Sequence, residues 1–118
     1  MTYRDQISKI DDLESHEQLA LGGLLRVLIR LDGQFSEEEE AFLEEAAAEI
    51  GGRDALWRVI SRSAQKCPDD DSIRAHAQKV IRPEARLMIR ETIEIVAKAD
   101  TITEGEQKLL DWVAELWG

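Results

Sequence analysis

Hydrophobic residues recur at helical spacing along most of the chain. Leu21, Leu24, Leu25, Leu28 and Leu31 follow one another at three- and four-residue steps, the period that gathers side chains onto one face of an α-helix. Val27 and Ile29 widen this stripe until the predicted helix is buried on most sides. Ser15 followed by Gln18 reads as a capping box at its start. Gly22 and Gly23 lie inside it. Each costs a helix interior about 1 kcal/mol relative to alanine, so their presence predicts close backbone contact with another helix.

The pattern continues. Ser36 with Glu39 caps a second helix that stops at Gly51, with Phe42, Leu43, Ala46, Ala47 and Ile50 inward. A third turns Leu56, Trp57, Val59 and Ile60 to the core and leaves Arg53, Arg58, Arg62 and Lys66 on a polar face. Cys67 to Ser72 reads as a loop whose acids start a short helix over roughly Ile73 to Val80. Pro83 suits the first turn of a long helix, with Leu87, Met88, Ile89, Ile93, Ile95 and Val96 as its buried set. Thr103 with Glu106 caps the last helix, whose core face is Leu109, Leu110, Val113, Leu116 and Trp117. Ile7, Ile10 and Leu13 suggest a short docking helix ahead of all these. No stretch alternates apolar with polar long enough for a strand. The expectation is one all-α domain over residues 1–118, a bundle of six or seven helices.

Composition narrows the function. Hydrophobic residues make up 43% and charged residues 34% of the 118, a globular balance. Fifteen basic against 25 acidic residues give a net charge of -10. That sign argues against nucleic acid, whose phosphates need cations, and against anionic lipid. No segment reaches the length of a membrane span and no leader pattern opens the chain, which points to the cytoplasm. Cys67 is the only cysteine and reads as an incidental thiol. His16 and His76 lack a spaced partner and read as surface histidines. Arg82, Arg86 and Arg90 repeat at four-residue steps and suit salt bridges to glutamate-rich helices better than an anion site. Trp57, Trp112 and Trp117 fit the core or its edge. No phosphate loop, nucleophile motif or catalytic triad is present, so no enzyme is expected.

The chain also repeats itself. Arg26 to Gly51 realigns with Glu94 to Gly118: Asp32 matches Asp100, Ser36 matches Thr103, Glu39 matches Glu106 and Leu43 matches Leu110. The second turn is one residue shorter. Each copy joins a buried helix to an amphipathic one through an acidic turn, which predicts an approximate internal two-fold. Asp32 and Asp100 stand where a helix end is already negative. Turn amides, a basic neighbour such as Arg30 or Lys98, or a bound cation could compensate. Glu39 and Glu106 would then add oxygens, although position N3 of a capping box takes Glu with no ligand at all. An EF-hand is not the answer, because Leu28 and Arg30 stand where its first oxygen ligands belong.

The doubled pattern Asp-Gly-x-aliphatic-Ser/Thr-x-x-Glu, at the junction of a buried and an amphipathic helix, resembles the TerB-like family. That family is named for bacterial tellurite resistance, and a related domain opens a membrane-anchored DnaJ-like co-chaperone. The resemblance spans about Ser15 to Gly118. It implies an all-α domain of about seven helices and a metal-binding role in stress response. Asp32, Gly33, Ser36 and Glu39 carry the match in the first copy; Asp100, Thr103 and Glu106 carry it in the second, where Thr101 replaces Gly. The candidate metal ligands are therefore Asp32, Glu39, Asp100 and Glu106, for a hard divalent cation such as Ca²⁺ or Mg²⁺. The alternative is a metal-free module that binds a partner protein through a helical face.

Overall fold

The computed structural model describes residues 9–32, 37–97 and 104–117. Six α-helices follow a 3₁₀ turn at Ile10–Asp12: α1 (Ser15–Asp32), α2 (Glu37–Ile50), α3 (Arg53–Lys66), α4 (Asp70–Gln78), α5 (Pro83–Ala97) and α6 (Glu104–Trp117). There is no strand among the described residues. The all-α expectation holds.

α1 is the central helix. Leu21, Leu24, Leu25 and Leu28 are at most 1% exposed, and α3, α4, α5 and α6 all pack against it. The two glycines explain the closest of these contacts. A β-carbon at Gly22 would sit 2.6 Å from the carbonyl oxygen of Val59, and one at Gly23 would sit 2.8 Å from the Ile73 side chain. Only a bare backbone lets α1 approach α3 and α4 so closely.

The helix ends follow local chemistry. α2 stops at Gly51 and Gly52, both with positive φ (133° and 100°), and the Gly52 N–H donates to Ala47 O at 2.7 Å. That six-to-one bond is the Schellman closure, which glycine accepts without strain. α4 begins behind Asp69, whose carboxylate accepts from the Ser72 N–H at 2.8 Å. That amide bond and a second from the Ser72 hydroxyl hold the Asp69 carboxyl below its ordinary range.

Several details differ from the sequence expectation. α4 runs Asp70–Gln78 rather than about Ile73 to Val80, because Asp69 caps it ahead of the expected start. The box at the start of α1 is shifted back by one residue. Glu17 reaches back to the Glu14 N–H at 2.7 Å, while the Gln18 amide donates instead to the carbonyls of Ile10 and Leu13. On α5, Leu87 and Ile95 are exposed, not buried. Ala85, Met88, Ile89, Thr92, Ile93 and Val96 form the inner stripe, and Leu87 and Ile95 fall off it by period alone. Thr92 keeps its inward place because its hydroxyl donates to Met88 O at 2.8 Å.

Candidate functional site

The acidic residues singled out from the repeat are scattered in what can be said of them. Asp32 is the last residue of α1 and Glu39 lies in the first turn of α2, but their side chains fall outside the described residues. Asp100, like the turns 33–36 and 98–103 themselves, falls outside too. Glu106 is described: it stands at the third position of α6, is 2% exposed and is already engaged within the chain.

Among the described residues, one group brings ligating atoms together. Glu14, His16 and Glu17 offer one atom each within 4.8 Å, and His16 Nδ1 lies 3.8 Å from Glu14 Oε2. This neighbourhood of His16 was not apparent from its spacing. The Glu17 carboxylate, however, is already committed within the chain. It is fully buried and takes a two-pronged grip from Arg82: Nε donates to Oε2 at 2.9 Å and Nη2 donates to Oε1, which also accepts the Glu14 N–H. Arg82 Nη2 donates as well to Asp12 O at 3.2 Å. Burial would raise the Glu17 carboxyl, but the Arg82 and Glu14 hydrogen bonds and the nearby positive charge outweigh it and hold the group below its ordinary value. The set is a structural tie between the 3₁₀ turn, α1 and the start of α5. Reading Arg82 for a salt bridge was correct in kind, but the partner is one buried glutamate rather than a glutamate-rich helix. Glu17 precedes Leu21, Leu24 and Leu28 on the same stripe, and an acid on an apolar stripe is the signal that could have found it.

Cys67 and His76 also meet. The thiol is fully buried at the end of α3, 3.3 Å from His76 Nδ1. Nδ1 also lies 2.9 Å from Ser72 O. A carbonyl can only accept, so Nδ1 carries the proton and is no base for the thiol. Burial pushes the Cys67 thiol up despite the Arg26 charge nearby. The pair is packing, not a nucleophile.

A concave feature of the described surface lies elsewhere. A groove of about 370 Å³ runs between α1, α3 and α4, lined by Arg26, Val27, Ile29, Arg30, Trp57, Ile60 and Ile73. Val27, Ile60 and Ile73 are buried and make an apolar floor, while Ile29 and Trp57 are half-buried on its sides. The two arginines stand one helical turn apart on α1. Arg26 is fixed, donating through Nη1 to Cys67 O at 2.9 Å. Arg30 is not: its one partner among the described residues is Asp70, and the two side chains are 57% and 50% exposed. Arg58 follows Trp57 on α3, exposed and without an ionic partner among the described residues. No helix of the described chain is long and apolar enough to cross a membrane.

Comparison with protein-family models, with curated proteins and with solved structures finds no match. The reading of function rests on the geometry.

Proposed function

We propose that this chain is a protein-interaction module that takes a segment of a partner protein into the α1–α3–α4 groove. One observation supports it above all: an apolar floor of Val27, Ile60 and Ile73 lies beside an exposed, exchangeable guanidinium, Arg30. Apolar floors with a few polar groups at the rim are the usual make-up of binding sites. Selection from a displayed library of helical peptides tests the reading, run in parallel on the wild type and on Ile29→Glu. Ile29 is half-buried on the groove wall, so the variant should fold, which circular dichroism checks. Peptides enriched on the wild type and lost on the variant support the module. Equal enrichment on both proteins overturns it.

A second reading keeps the TerB-like resemblance and its metal-binding role in stress response. It is favoured by one structural fact: α1 runs through to Asp32, so an acidic residue ends a buried helix. Ca²⁺ or Mg²⁺ bound by Asp32, Glu39, Asp100 and Glu106 would raise the melting temperature by linkage. Calorimetry with Ca²⁺, Mg²⁺ and Mn²⁺ against an ionic-strength control tests it, with Asp32→Asn expected to abolish the rise. The engaged state of Glu106 weighs toward the interaction module.

A further inference from the structure

No further inference is drawn: the strongest candidate, the apolar-floored groove between α1, α3 and α4, belongs to the site already described, and nothing in the structure shows what covers it.

Discussion

Arg82 and Arg30 each meet a carboxylate from another part of the chain, yet water reaches the two pairs differently. Glu17 is fully buried beneath Arg82, whose own side chain is 36% exposed. Arg30 and Asp70 are both at least half in solvent. The first carboxylate could not leave its arginine without standing in a low-dielectric interior unpaired, so the pair is locked. The second could exchange its partner for water or for another carboxylate at little cost. The same two chemical groups thus make a structural tie at one end of α1 and an available binding group at the other. Burial of the acid, not the arginine, decides which.

The largest expected effect breaks the locked pair. Arg82→Ala strands the Glu17 carboxylate, and urea unfolding should show a loss toward the lower end of about 3–5 kcal/mol, since Arg82 is partly solvated. Glu17→Gln should cost clearly less, because the arginine left behind can turn to water. If the two variants lose equal stability, the asymmetry drawn from burial is wrong.

Next comes the seam between the two arginine sites. Gly22→Ala drives a β-carbon into the Val59 carbonyl and should cost about 1–3 kcal/mol despite alanine's better helix propensity. Gly23→Leu should also destabilise, as it must displace the Ile73 side chain. Calorimetric melting of either variant above the wild type would show that α1 stands off from its neighbours.

Acid gives a smaller effect of definite sign. The folded Glu17 carboxyl lies below its ordinary value near 4.5, so in that range the unfolded chain binds the proton more readily. Its contribution is fully present above the unfolded value and is lost as pH falls through the folded one. Between pH 5 and pH 3 the wild type should lose more stability than Glu17→Gln, read from urea midpoints at each pH. Parallel losses would mean that other carboxyls carry the acid sensitivity.

The smallest effect belongs to the exposed pair. Arg30→Ala should change stability by no more than about 0.5 kcal/mol while altering peptide binding. A large loss of stability would make Arg30 a structural residue like Arg82 and remove it from the binding role.

Much of the fold was legible because helices announce themselves locally. The period of Leu21, Leu24, Leu25 and Leu28, the stop at Gly51 and Gly52, and the proline at the start of α5 depend on neighbours in sequence. The glycines in α1 correctly signalled close packing because nothing else justifies their cost in a helix interior. Leu87 and Ile95 are apolar yet exposed, because the 3.6-residue period of α5, not hydrophobicity, decides which side chains face the core. The Glu17–Arg82 tie, the Cys67–His76 contact and the groove join residues far apart in the chain. No local pattern encodes such pairings, and only the packing of α1 on α3 and α4 creates the groove. Of the four acidic residues singled out in the repeat, Glu106 alone has a described side chain, and it is buried.

The bare backbone at Gly22 and Gly23 also shapes how this chain can change over generations. A leucine in the core can become isoleucine or methionine and repack, so most buried positions have tolerable neighbours in sequence space. Every replacement for glycine brings a β-carbon, and at Gly22 that atom meets a carbonyl oxygen which cannot rotate aside. Drift at that site would have to be preceded by a shift of the whole of α3, the helix that walls the groove.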